Sequence, residues 1–315
     1  MSYLDAILRV YNRYGRRDNK YKARIKILVK ALTPEVFAEK VEAEMVHLRG
    51  GQTTLTEAEV QRIAKHFVGP DYKTLDDQSA ELAALDQQHP GFARWRVRNT
   101  LAQLKPTGIA PGDVTDKQFD AISDLADRYS FGQLRTSHEQ NIILADVEQS
   151  RLFELWGELR ENGFATPNIG LLTDIICCPG GDFCSLANAK SIPIAEAIQR
   201  RFDDLDYLFD IGELDLNISG CMNACGHHHV GHIGILGVDK KGEEFYQVSL
   251  GGSASRDASL GKILGPSFAQ DDMPDVISKL INVYVEQRTE DERFIDTYQR
   301  IGIDLFKERV YAANH

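Results

Sequence analysis

Five cysteines occur in this chain, and four of them fall into two close pairs. The first pair is Cys178-Pro-Gly-Gly-Asp-Phe-Cys184. The second is Cys221-Met-Asn-Ala-Cys225, preceded by Ser219-Gly220 and followed by Gly226 and the run His227-His228-His229. Glycines and a proline flank both pairs, so the backbone can turn tightly and gather sulfurs around one compact object. Thiolates bind soft metals, and four of them suit zinc or an iron–sulfur cluster. The first loop has five residues between its cysteines, wider than the two to four typical of structural zinc. The bland alternative is four unrelated core cysteines, because free Cys is common in protein interiors.

The spacing Cys178-x5-Cys184 … Cys221-x3-Cys225-Gly resembles the signature of the sirohaem-dependent nitrite and sulfite reductase family, specifically its C-terminal half. In that family four such cysteines hold a [4Fe-4S] cluster, and the last also ligates sirohaem iron. The resemblance implies Cys178, Cys184, Cys221 and Cys225 as cluster ligands, with Cys225 the bridge to sirohaem and Asn223 beside it. The family more often has proline where this chain has Met222.

The elements that must position these residues follow from pattern and composition. The chain has 315 residues, 43% of them hydrophobic, enough for a large core and two or more domains. The start, Met1-Ser-Tyr-Leu-Asp, lacks a basic region followed by an apolar one, so no signal peptide is expected. Cysteines without such a signal point to a reducing cytoplasm and to metal or redox chemistry. No apolar run reaches membrane-spanning length. A net charge of −11 disfavours nucleic acid and anionic membranes as partners. It also requires any site for an anion to be built from locally clustered Arg and Lys.

Residues 1–50 read as helical, with a second run from Tyr21 to Leu32 and a third from Pro34 to about Leu48 capped by Thr33. Arg13, Arg16, Arg17, Lys20, Lys22, Arg24, Lys26 and Lys30 form a basic set there, which composition alone reads as a solvated face. The segment resembles the end of the family's first sirohaem-binding domain. By that resemblance Lys22, Arg24 and Lys26 approach the carboxylates of the cofactor.

Residues 51–90 read as a linker with a helical insert over about 56–67. Residues 91–165 show strand, helix, strand, helix: a loose alternation over 95–110, a helix over 116–128 with Thr115 as N-cap, a strand from Leu134 to Asp146, and a helix over 148–162. That is a βαβα half of a ferredoxin-like fold, and it resembles the family's ferredoxin-like half-domain. Its strand carries Arg135, His138, Gln140 and Asn141. The resemblance places Arg135, Gln140 and Asn141 beside sirohaem.

Residues 166–315 then form the sirohaem and [4Fe-4S] domain. Expected elements are a helix over 186–202, a strand from Leu214 to Ser219, a hairpin of 233–238 with 244–250, and helices over 274–288 and 290–301 before a tail to Tyr311. Gly251-Gly252-Ser253 offers backbone N–H groups to an anion. The histidine run reads as split between strand faces rather than as one metal site.

The fold class is thus α+β: a helical segment, a ferredoxin-like half-domain, then an α/β catalytic domain. The implied function is six-electron reduction of sulfite or of nitrite. Electrons would come from a ferredoxin or flavoprotein, and a complementary N-terminal half or self-dimer would complete the site, since Met1 falls in the middle of the family architecture. The rival is a non-enzymatic iron–sulfur electron-transfer subunit.

Overall fold

A computed structural model describes residues 1–19, 22–75, 79–99, 103–104, 113–255 and 258–312. Lys20, Tyr21 and most of the expected 95–110 strand with its Pro111-Gly112 end lie outside the described residues. The chain divides into two units, Met1–Thr74 and Leu75–His315. Among the described residues no helix is long and apolar enough to cross a membrane.

The first unit holds α1 (Ser2–Tyr14), α2 (Ile25–Leu32), α3 (Pro34–Leu48) and α4 (Glu57–Ala64). Thr33 caps α3 through Val36 N at 3.5 Å. Ala6 and Val10 of α1 meet Val41 and Leu48 of α3 in a small core, while Leu4 and Leu8 on α1 stay exposed. Arg9 and Arg13 both face Glu44 at 3.6 Å.

The second unit opens with α5 (Ala80–Gln88) and α6 (Pro90–Arg98), in a stretch whose composition read as linker and strand. The His89-Pro90 break is real. It starts a helix rather than ending structure, because proline fits the first helical turn. Phe92 and Trp95 of α6 are fully buried in the ferredoxin-like core.

Then come β1 (Gln103–Leu104), α7 (Asp116–Tyr129), β2 (Leu134–Thr136), β3 (Ile142–Leu144) and α8 (Leu152–Glu161). Thr115 and Gln118 form a reciprocal capping box at the start of α7. Ile122, Leu125 and Ala126 are buried, but Phe119 is 54% exposed. The expected single strand from Leu134 to Asp146 is instead a hairpin, so the sheet has three antiparallel strands in the order β1-β3-β2. Its turn is made without glycine. Ser137 Oγ accepts from Glu139 N and Asn141 N, and Gln140 takes the left-handed backbone at φ 59°.

The larger sheet comprises β4 (Ile176–Cys177), β5 (Leu216–Ser219), β6 (Ile233–Lys240), β7 (Glu243–Leu250) and β8 (Lys262–Ile263), hydrogen-bonded in that order. The first three strands are parallel and the β6–β7–β8 pairs antiparallel. Between β4 and β5 lie the single turn α9 (Gly180–Phe183), α10 (Ile192–Arg201) and α11 (Leu205–Ile211). Pro193 sits in the first turn of α10, so the helix starts there and not at Leu186. The chain closes with α12 (Met273–Gln287), α13 (Phe294–Ile301) and α14 (Asp304–Tyr311). The last of these replaces the expected tail, anchored by buried Phe306 and Val310.

One row of strand residues, Leu216, Ile218, Ile233, Ile235, Val248 and Leu250, joins α10 and α12 in the main core. The alternate row includes Asn217, Ser219, Gly234 and Ser249, small or polar residues that leave room for chain to lie flat on the sheet.

Candidate functional site

Both cysteine pairs begin where adjacent parallel strands end, the edge at which open α/β sheets place their sites. Cys178 follows β4, and its N–H donates to Ile218 O at 3.1 Å, prolonging the pairing with β5. Alternation sends Cys177 into the apolar core and Cys178 to the other side. Cys184 N donates to Gly180 O at 2.9 Å across the α9 turn.

Gly220 clasps the two loops together. Its N–H donates to Cys178 Sγ at 3.1 Å, and its carbonyl accepts from Asn188 N at 2.8 Å and Ala189 N at 3.1 Å. Cys221 is the next residue. Ala224 N returns to Cys221 O at 3.1 Å, and Ala224 and His227 both adopt positive φ, so the second loop turns without using its glycine for that purpose. Cys178 and Cys221 are each 8% exposed, Cys184 is half-buried, and Cys225 is exposed. Asn223 is exposed as well. Phe183, Leu186 and Met222, all within or beside the loops, are at least 70% exposed.

The loop after Cys225 lies on the small-residue face of the sheet. Gly226 N donates to Ser219 Oγ at 3.1 Å and Asn217 Nδ2 to His227 O at 3.2 Å. A methyl at Gly226 would stand 1.9 Å from Ile218 O, and one at Gly234 1.9 Å from His228 O. These two contacts set how closely loop and sheet approach. The first loop is pinned separately: the buried Tyr246 hydroxyl donates to Lys190 O at 2.8 Å, and Lys190 N donates to Glu244 Oε2 at 3.0 Å.

The histidines lie in a 3-10 turn over His228–Val230, not in a strand. Burial, with His229 beside it at 5.1 Å between ring centroids, lowers His228 to about 4, which keeps it neutral near pH 7. His232 Nδ1 accepts from Asp215 N at 3.1 Å. Among the described residues no three His, Cys, Asp or Glu side chains converge on a single-ion position. Gly251 N and Ser253 N donate to His232 O and Ser259 O, so those two groups are already engaged rather than free for an anion.

The ferredoxin-like hairpin reaches the site through Gln140. Gln140 Oε1 accepts from Cys177 N at 2.7 Å and its Nε2 donates to Cys177 O at 2.9 Å, a two-point grip on the backbone just ahead of Cys178. Asn141 is buried and donates to Glu139 O at 3.3 Å, ordering the turn. Arg135 is exposed and pairs with Asp146 at 3.2 Å. His138 is exposed at the tip, where the hairpin, Asp174, Ile176, Asp215 and Asn217 line a cleft of about 540 Å³. Lys22, Arg24 and Lys26 belong to the first unit; all three are exposed, and among the described residues no carboxylate lies within salt-bridge range of them.

Sequence reasoning did not find Ser191, the clasp at Gly220 or the contact that Gln140 makes. Ser191 falls inside the helix expected over 186–202, and nothing in the sequence links it to Cys178.

Comparison with known proteins identifies the domains and the fold. The family described as nitrite and sulphite reductase 4Fe-4S domain matches residues 1–48 and 171–314. The nitrite/sulfite reductase ferredoxin-like half domain matches 106–162. A sulfite reductase (ferredoxin) 2 of Mycolicibacterium paratuberculosis is 27% identical over 95% of this chain and 51% of its own length. A chloroplastic ferredoxin–nitrite reductase of Betula pendula is 29% identical over 82% of this chain and 41% of its own. The structure of the NirA protein of Mycobacterium tuberculosis superposes with a TM-score of 0.66 at 24% identity, over 97% of this chain and 53% of that one, which shows a shared fold. The chain spans about half the length of the relatives it matches. On these matches the chain belongs to the nitrite and sulfite reductase family, whose cofactors are a [4Fe-4S] cluster and sirohaem.

Proposed function

We propose that this chain supplies the cluster-binding half of a sirohaem enzyme that reduces sulfite or nitrite by six electrons. The observation that carries the reading is the clasp at Gly220, which brings Cys178 and Cys221 together at the ends of adjacent parallel strands. The donor set fits the cluster: four free cysteines on glycine-rich turns, two of them following adjacent parallel strands.

In this reading Cys178, Cys184, Cys221 and Cys225 would hold the cluster, and the exposed Cys225 would also serve sirohaem. The bound cofactors supply rapid electron delivery and a metal for the substrate anion. The protein holds and orients them. Asn223, Arg135, Gln140 and Asn141 line or order the sirohaem pocket, and the exposed Lys22, Arg24 and Lys26 offer positive charge to its carboxylates. Exposed Phe183, Leu186 and Met222 mark a face that a complementary half or a second copy covers. The domain reading of 1–50, 51–90, 91–165 and 166–315 belongs to the same proposal. The names of the relatives support ferredoxin as donor, and the free cysteines support a reducing, cytoplasmic setting.

Anaerobic reconstitution with iron, sulfide and sirohaem tests this. The expected result is four irons and four sulfides per chain, as [4Fe-4S] chemistry requires, with sirohaem bands in the visible spectrum and turnover of one anion once the missing face is covered. Cys178→Ser, Cys184→Ser and Cys221→Ser should each lose the cluster. Cys225→Ser should also lose haem, and Cys177→Ser should change neither. A cluster without sirohaem under any condition would favour the electron-transfer subunit instead. Cluster loss in Cys177→Ser but not Cys178→Ser would overturn the ligand assignment.

A further inference from the structure

Ser191 occupies the N-cap of α10 yet makes no side-chain cap hydrogen bond. Serine is favoured at that position because its oxygen accepts from an orphan N–H of the first turn. Here the hydroxyl is fully buried and points elsewhere. Its partner is Cys178 Sγ at 3.6 Å, on the same sulfur that accepts from Gly220 N at 3.1 Å. Glycine surrounds it: a methyl at Gly180 would lie 2.6 Å from Ser191 Oγ, and one at Gly220 3.0 Å. The hydroxyl therefore sits in a cradle that side chains at either position would fill. Among the described residues, Cys178 is the one of the four paired cysteines whose sulfur takes hydrogen bonds.

We propose that Ser191 is a tuning residue for the cluster, donating a hydrogen bond to the Cys178 thiolate and raising the cluster's reduction potential. This rests on the cluster reading above. A thiolate ligand has no proton, so the shared hydrogen must be the serine's. Reduction adds negative charge to the cluster and its sulfurs, and a donor aimed at one of them stabilises the reduced form more than the oxidised one. The site is buried, which strengthens the interaction relative to water.

The test is a redox titration of the reconstituted 315-residue chain, followed by electron paramagnetic resonance. Ser191→Ala should lower the ratio of reduced to oxidised cluster at fixed ambient potential by about tenfold, equivalent to about 59 mV for a one-electron couple. Ser191→Cys keeps a weaker donor and should shift the same way by less. If the alanine variant sheds its cluster, the cysteine variant decides alone. A packing role would lower thermal stability while leaving the midpoint in place. Wild-type midpoints in every cluster-bearing variant would overturn the tuning role and leave the cluster reading intact. A wild-type chain that takes up no cluster would overturn the reading and this proposal together.

Discussion

Cys178 and Cys221 are delivered by strands, whereas Cys184 and Cys225 are reached only after a further turn of loop. The inner two inherit the order of the sheet: they are nearly buried, and Gly220, adjacent in sequence to one, hydrogen-bonds the sulfur of the other. The outer two depend on single turns, closed by Cys184 N to Gly180 O and by Ala224 N to Cys221 O, and Cys225 is open to solvent. The difference assigns separate tasks. In the proposed reading the inner pair would fix where a cluster sits before anything binds. The outer pair would settle onto it, with the more open Cys225 as the residue proposed to be shared with sirohaem.

The sharpest way to break this asymmetry is to push the two loops apart at their clasp. A methyl at Gly220 would lie 2.6 Å from Ala189 O and 2.8 Å from Gly180 Cα, both backbone atoms that cannot swing aside. Gly220→Ala should cost about 3 kcal/mol in chemical denaturation of the unloaded chain. Cys225→Ser, on the exposed side, should stay within about 0.5 kcal/mol. Equal effects of the two would mean that the inner cysteines are not preorganised.

A smaller effect is expected where the ferredoxin-like hairpin grips the inner strand. Gln140→Leu keeps the size but loses both hydrogen bonds to Cys177, for about 1–2 kcal/mol by the same measurement. The left-handed backbone at Gln140 is a local cost that this grip offsets. If the hairpin positions the inner ligand, cluster retention during anaerobic dilution should fall in Gln140→Leu and be unchanged in Arg135→Ala. The reverse order would place the hairpin's contribution in its charge.

These contrasts mirror what the sequence could disclose. The cysteine pairs stand out in the sequence through their spacing, and the α7 cap and the β6–β7 hairpin were legible because local residues decide them: Thr115 with Gln118, and Lys241-Gly242 at positive φ. The Leu134–Asp146 stretch was misread because its turn contains no glycine or proline and apolar Ile142 resumes immediately. The α14 helix was missed because two buried anchors, Phe306 and Val310, carry an otherwise polar segment. Gln140 and Ser191 act across 37 and 13 residues respectively. Each is an ordinary polar residue whose partner only the assembled sheet brings near.

The last contrast concerns acid, and it probes the loop after Cys225. His228 lies beyond Cys225 in the turn that rests on the sheet, and its Nδ1 is buried with no hydrogen-bond partner among the described residues. Burial holds it at about 4 against an ordinary value of 6.5. Between those values the unfolded chain binds more protons than the folded one, so stability rises with pH across the window. The His228 contribution is therefore complete above about pH 6.5 and is lost progressively as pH falls toward 4. His228→Phe keeps a ring in place and removes the titration. Thermal midpoints of the unloaded wild type and variant should differ by a constant amount above pH 6.5, and below it wild type should lose ground to the variant. Hydrogen exchange should then rise first in the outer loop, around 222–232, while Ile218 and Ile235 stay protected in the core. Parallel midpoint curves for the two proteins down to pH 4 would show that His228 is not the acid-sensitive point of that loop.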